Sequence, residues 1–271
     1  MNRLLLFILP VLLISCSSST EETEEAPVDT GPFSDLVWSD EFDDTRLDRT
    51  KWITETGAHG WGNNEWQDYT EVANVELNDG ILNIIAKKVG NGQRAGDYTS
   101  ARLNSRFEFT YGRLEVRAKV PTHRGNGLWP AIWMLGDPEM RWPLRGEIDV
   151  LEWVSFDPNN VHFTIHSEAN NHIDGTQAGS GAVFHPTVDN EFHTYGLLWE
   201  EDRLRFYIDD STNVQFTFDR PENPTQENWP FDKPFYVLLN MAVGGSWGGS
   251  RGVNDNIFPA TFEIDYVRVY Q

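Results

Sequence analysis

The chain has 271 residues, enough for one large all-β domain without further subdivision. It carries 42 Asp and Glu against 21 Lys and Arg, a formal net charge of −21. That field opposes nucleic acid, whose binding needs basic patches, and disfavours polyanionic polysaccharides, but it leaves a neutral polymer unaffected.

In chain order, residues 1–3 carry one positive charge and residues 4–14 form an unbroken apolar run. The run is too short to span a bilayer as a stable helix and suits the apolar region of an export signal. It ends in Leu13-Ile14-Ser15-Cys16, which resembles the lipobox of bacterial lipoproteins, where cleavage precedes an acylated cysteine. Residues 1–16 are therefore expected to be a lipoprotein signal. The protein is then exported and lipid-anchored through Cys16 to a bacterial membrane, at the outer membrane or cell surface. Cys16 is the single cysteine, so the folded part has no disulfide and no thiolate nucleophile or metal ligand. Residues 17–32 are rich in Ser, Thr and Glu, have little to bury, and read as a disordered acidic tether. Residues 33–271 show no linker, repeat or compositional break and read as one domain, expected to be a monomer.

Within that domain helical periodicity is nearly absent and period-two alternation recurs, the signal of half-buried strands. The spacing predicts strands over residues 81–86, 113–120, 195–199, 204–208, 235–240 and 262–270, with residues 200–203 as a hairpin turn. Many short strands separated by Gly, Pro, Asn and Asp indicate an all-β sandwich. Trp61, Trp66, Trp129, Trp133, Trp142, Trp229 and Trp247 lie among polar and Gly residues. A sugar ring offers an apolar C–H face and a hydroxyl rim, so these indoles suggest a carbohydrate cleft.

The segment Gly146-Glu147-Ile148-Asp149-Val150-Leu151-Glu152-Trp153 carries the chemistry. In a regular strand Glu147 and Asp149 share a face and Glu152 takes the other. One extra residue at Val150-Leu151, a β-bulge, returns Glu152 to the acidic face. About four strand steps then separate the Cα atoms of Glu147 and Glu152, roughly 13 Å at ~3.3 Å per residue. Long side chains leaning together over a curved sheet could close this to the ~5–5.5 Å of a retaining glycosidase, although an inverting gap of ~6.5–9.5 Å is not excluded.

Glu147-Ile148-Asp149-Val150-Leu151-Glu152 resembles the E-x-D-x-x-E signature of glycoside hydrolase family 16, in the bulged subgroup of laminarinases (endo-β-1,3-glucanases), agarases and carrageenases. Trp61-Gly62-Asn63-Asn64-Glu65-Trp66-Gln67, Trp129-Pro130-Ala131-Ile132-Trp133-Met134-Leu135 and Asn240-Met241-Ala242-Val243-Gly244-Gly245-Ser246-Trp247 resemble laminarinase motifs, and the closing strand through Asp265 does too. The resemblance implies a jelly-roll β-sandwich of two curved antiparallel sheets, with residues 33–271 as the catalytic domain and the substrate in a concave cleft. It implies Glu147 as nucleophile, Glu152 as acid/base and Asp149 between them. It places Asn64, Glu65, Trp129, Trp133, Trp142, His166, Asn240 and Trp247 at the substrate, and a structural Ca²⁺ at Glu41, Asp265 and the Gly80 carbonyl. The implied activity is retaining endo-hydrolysis of β-glucan, β-1,3-glucan first. A mixed-linkage β-1,3-1,4-glucanase is the alternative. A non-catalytic β-glucan-binding protein on the same fold is the rival, which the retained acids oppose. Asp68, Asn170 and residues 122–126 depart from the laminarinase pattern and leave the linkage preference open.

Overall fold

The computed structural model describes residues 32–122 and 124–271. The expected signal, Cys16 and nearly all of the expected tether lie outside the described residues. Pro32–Gln271 forms one contact-dense unit. Its strands, in chain order, begin with β1 (Leu36–Asp40), β2 (Trp52–Glu55), β3 (Gln67–Tyr69), β4 (Val75–Asn78), β5 (Ile81–Lys88) and β6 (Tyr98–Ser100). Then come β7 (Arg102–Phe109), β8 (Gly112–Lys119), β9 (Leu128–Leu135), β10 (Glu147–Glu152), β11 (Asn160–His166) and β12 (Ala178–Gly179). The last are β13 (Val183–Phe184), β14 (His193–Trp199), β15 (Arg203–Ile208), β16 (Val214–Asp219), β17 (Phe235–Val243) and β18 (Ala260–Tyr270). Among the described residues the helical content is one 3₁₀ turn, Asp255–Ile257, and no helix is long and apolar enough to cross a membrane.

The strands form two sheets. One runs β16-β15-β14-β8-β18-β5-β6-β3, with β1 on β18 and β4 on β5; the other runs β12-β11-β10-β9-β17-β7-β2, with β13 on β11. Pairing is antiparallel except for β3 with β6, a departure from the all-antiparallel expectation. The predicted strands all form, each lengthened or shifted by a few residues, and the hairpin falls between β14 and β15.

Alternation sets which residues meet between the sheets. Leu114, Val116 and Ala118 of β8, and Leu82, Ile84 and Ala86 of β5, face Ile132 and Met134 of β9, Val161, Phe163 and Ile165 of β11, and Leu239 and Met241 of β17 in one buried cluster. The opposite face of the second sheet is thereby left to polar and aromatic side chains. Trp229 and Trp66 do not belong to that face. Trp229 is buried and packs between Phe218 and Phe231, while Trp66 is half-buried against the core and stacks on Tyr98. Their polar sequence neighbours misdirected the reading, because a large ring in a loop can still cap the core.

Candidate active site

The acidic strand has the bulge the sequence required. Asp149 pairs with Trp133 of β9, but the next pairs are Leu151 with Ile132 and Glu152 with Ala131. Across β11, Asp149 pairs with Thr164 and Glu152 with His162, so three steps on one strand span two on its partner. Val150 and Leu151 are both fully buried. Two adjacent apolar residues thus enter the core, and Glu147, Asp149 and Glu152 emerge on the same side. Gly146 sets the entry to this strand. Its φ is +81°, and a Cβ there would lie 2.7 Å from Pro230 Cγ and 2.8 Å from Phe235 Cζ, so glycine alone fits.

Neighbouring strands complete the face by the same alternation. Trp129, Ala131, Trp133 and Leu135 of β9, Asn240 and Ala242 of β17 and Arg102 of β7 line a cavity of about 400 Å³ with Glu147, Asp149 and Glu152. His162, Thr164 and His166 of β11 line a second cavity of about 480 Å³ with Trp247. Glu147 and Glu152 border both, together with Trp129, Asn63 and His172. The carboxylates therefore stand where two cavities meet, and one extended chain could lie across both with a bond over the acids.

Each acid has different partners. Glu147 Oε2 accepts a 2.9 Å bond from Trp142 Nε1, and Glu152 Oε2 accepts a 2.8 Å bond from the Thr164 hydroxyl. Asp149 is buried, and its Oδ2 has no hydrogen-bond partner among the described residues. His166 Nε2 lies 3.7 Å from Glu147 and 3.6 Å from Asp149. Burial, followed by the neighbouring His172, lowers the His166 pKa to about 4, so it is neutral near pH 7.

Burial raises the pKa of all three carboxyls. For Glu147 the charge of Glu152 adds to this, while the Trp142 bond and the charges of Arg102 and Arg145 favour its ionised form. For Asp149, burial and then the charges of Glu147 and Glu152 push it well up. For Glu152, burial is offset chiefly by the Thr164 bond. Contacts that favour a carboxylate reach both glutamates: the Trp142 bond with Arg102 and Arg145 at Glu147, and the Thr164 hydroxyl with Trp129 at Glu152. Burial and mutual repulsion therefore keep protons on this set near neutral pH, and the three acids titrate as one coupled group.

The walls are held by a second layer of bonds. Asn240 Oδ1 accepts from Trp133 Nε1 at 2.7 Å, and Asn240 Nδ2 donates to the Tyr69 hydroxyl at 2.9 Å. The Arg102 guanidinium sits 4.8 Å from the Trp61 ring centre and 4.6 Å from that of Trp133, and it pairs with Glu55. Buried Glu65 borders the first cavity and accepts from Gln67 Nε2 at 2.6 Å. Asn64, expected at the substrate, is exposed, bonds Ser246 and lines neither cavity; its neighbour Asn63 takes that place. The Asn64 amide is committed to the Ser246 hydroxyl across the loop, at 3.0 Å. Arg102, Arg145, His172 and Thr164 were not found from sequence. Thr164 and Arg102 had a signal in the alternation of their strands, but Arg145 and His172 lie in loops without one.

The residues expected to hold Ca²⁺ do not fit a carboxylate cage. Glu41 is paired with Arg268 at 2.7 Å, and Asp265 is paired with Arg117. What remains is oxygen around the Gly80 turn: a Cβ built there would lie 3.3 Å from Asp43 Oδ1 and 4.0 Å from the Glu41 carbonyl.

A jelly-roll sandwich with an open polar and aromatic face, crossed at its centre by buried paired carboxylates, defines a glycoside hydrolase. Comparison with known proteins agrees. The profile of Glycosyl hydrolases family 16 matches residues 62–268, and the chain belongs to that family. It is 44% identical over 282 residues to a Beta-glucanase of Rhodothermus marinus, covering 100% of this chain and 95% of that one. It superposes on the laminarinase from Rhodothermus marinus with a TM-score of 0.81 at 44% identity, covering 88% of this chain and 97% of the other. SCLam, a non-specific endo-β-1,3(4)-glucanase, gives a TM-score of 0.79 at 40% identity, with 87% and 90% covered.

Proposed function

We propose that the enzyme hydrolyses β-glucan internally with retention of configuration, with β-1,3-glucan as the preferred substrate. The observation that carries this reading is the bulge in β10, which puts Glu147 and Glu152 on one face where two cavities join. Glu147, as its carboxylate, attacks the anomeric carbon. Glu152 gives its proton to the departing glycosidic oxygen, leaving a glycosyl-enzyme ester on Glu147. Water then enters, Glu152 takes its proton, and the ester is released with a second inversion and hence net retention. Asp149 acts as a protonated neighbour that limits repulsion within the set. Trp129, Trp133, Trp142 and Trp247 supply ring faces for sugars, with Asn240 holding Trp133 in place.

The likeness to a laminarinase supports the β-1,3 preference, and the likeness to SCLam supports mixed-linkage glucan as the second reading. A reducing-sugar assay on laminarin, curdlan, barley glucan, agarose and carrageenan decides between them. Oligosaccharide ladders from laminarin are expected, and activity confined to agarose or carrageenan would overturn the glucan reading.

Two further parts of the reading rest on sequence. Attachment to the membrane through Cys16 rests on the lipobox, and Cys16→Ala is expected to leave the membrane fraction. A structural Ca²⁺ would rest on the oxygen-lined Gly80 turn and serve stability rather than chemistry.

A further inference from the structure

A second group of metal-ligating side chains lies outside the cleft. His185, His193 and Asp209 each offer one ligand atom, and these atoms lie within 4.8 Å of one another. We propose that these three side chains form a binding site for a dication of the Zn²⁺ class, which fastens the crossover between the two sheets.

The site is assembled from three different segments. His185 follows β13, which pairs with β11 of the cleft-bearing sheet, and its backbone N–H donates to the Asn159 carbonyl at 2.8 Å. His193 opens β14 in the opposite sheet, and Asp209 directly follows β15 there. The loop between His185 and His193 turns back on itself, with the Asn190 and Glu191 N–H groups both donating to the Thr187 carbonyl. An ion held by all three side chains would therefore close this loop and tie the edge of one sheet to the other.

The chemistry of the set suits a borderline dication. Zn²⁺ takes imidazole nitrogen and carboxylate oxygen at about 2.0–2.2 Å, and three protein ligands plus water are a common arrangement. His193 Nδ1 already lies 2.8 Å from Asp209 Oδ2, and the His185 and His193 ring centres are 4.2 Å apart. His193 Nε2 meets the Thr187 hydroxyl at 3.0 Å, and Asp209 Oδ1 accepts from the Thr194 N–H at 2.8 Å, so two of the three groups are oriented beforehand. His185 Nδ1 is buried and has no hydrogen-bond partner among the described residues. In a purely structural cluster that nitrogen would be a cost without a return. Asp209 is exposed, which gives an ion a way in from solvent. The site is independent of the glucan reading, since none of its residues lines either cleft cavity.

The test uses protein without a histidine tag, freed of metal with EDTA and titrated with zinc chloride, following melting temperature and hydrolytic rate together. The expected result is a saturable, EDTA-reversible rise of about 5–10 °C when Zn²⁺ exceeds its Kd by about a hundredfold. His185→Ala should weaken Zn²⁺ binding about tenfold or more. Asp209→Asn should do the same and tolerates the φ of +61° at that position, so it separates lost ligation from lost folding. Co²⁺ in place of Zn²⁺ should give absorption bands that the His185→Ala protein lacks. The proposal is overturned if Zn²⁺ gives no rise, or if the rise survives in both variants. It is equally overturned if Zn²⁺ only inhibits, which would put the ion at Glu147, Asp149 and His166, the other group with ligating geometry.

Discussion

β10 and β18 use the same backbone device for opposite ends. Both carry a register shift that changes which residues face the core, β10 between Asp149 and Glu152, β18 between Ile264 and Tyr266. On β18 every charged side chain the strand turns outward meets an opposite charge. Glu263 pairs with Lys119 at 2.7 Å, Asp265 at the bulge with Arg117, and Arg268 with Glu41 at 2.7 Å. On β10 the acids meet one another, a tryptophan N–H, a threonine hydroxyl and a histidine that burial keeps neutral. The β18 arrangement is what stability alone would select. The β10 arrangement holds buried carboxyls above their ordinary pKa, a state that costs folding energy and persists where proton transfer needs it.

The largest effect should come from breaking the β10 set. Glu147→Gln or Glu152→Gln is expected to lower kcat by at least ~10²–10⁴-fold on laminarin, with an unchanged circular dichroism spectrum. A near wild-type rate in either, with the protein intact, would remove that residue from the mechanism.

The next contrast is in stability, and its sign differs between the strands. A carboxyl whose folded pKa is raised binds a proton in the folded state that the unfolded chain has already released. Its contribution therefore falls as pH rises from about 4 through the raised folded value. Asp149→Asn and Glu147→Gln should thus raise the melting temperature at pH 7, by ~2–4 °C for each ~1 kcal/mol relieved, and the gain should shrink at pH 4.5. A fall in melting temperature at pH 7 for both would show that these acids are not under strain. On β18, Glu263→Gln should instead change stability by no more than ~1 kcal/mol, in the destabilising direction, because its pair is partly exposed.

Between these lies Asn240→Ala. It leaves Trp133 Nε1 without its acceptor and takes from the buried Tyr69 hydroxyl its Asn240 donor, leaving only the 3.4 Å bond to Glu65, so a loss of ~1–3 kcal/mol in stability and a higher KM are expected together. A changed stability with unchanged KM would mean that Trp133 does not meet substrate. The smallest effect concerns calcium. With Glu41 and Asp265 held by arginines, added Ca²⁺ against EDTA should shift melting by only ~1–2 °C, less than a full carboxylate cage would give. A rise of ~5 °C or more would mean that Ca²⁺ displaces Arg117 or Arg268.

Much of this was legible in the sequence because it depends on local alternation. The acids of β10, the need for a bulge and the strands over residues 81–86, 113–120, 195–199, 204–208, 235–240 and 262–270 follow from period two and from the apolar pair Val150-Leu151. The jelly-roll order and the roles assigned to the acids came from family resemblance rather than from periodicity. What stayed hidden depends on how loops fold back. Asn63 and Asn64 differ in which of them the loop brings to the cavities, Trp229 looks polar in sequence and is core in space, and Arg145 and His172 reach the site from loops. The ion pairs of Glu41 and Asp265 were equally invisible, since Arg268 and Arg117 become their neighbours only through sheet pairing.

The central claim is that β10 presents a nucleophile and an acid/base to opposite steps of one displacement. Proton NMR of the first reducing ends released from laminarin by the wild-type enzyme, recorded before mutarotation, tests it most directly. The β-anomer is expected to appear first, with the α-anomer growing in only by mutarotation. An initial α-anomer would show that Glu147 and Glu152 work with a water between them, and would contradict the glycosyl-enzyme on Glu147.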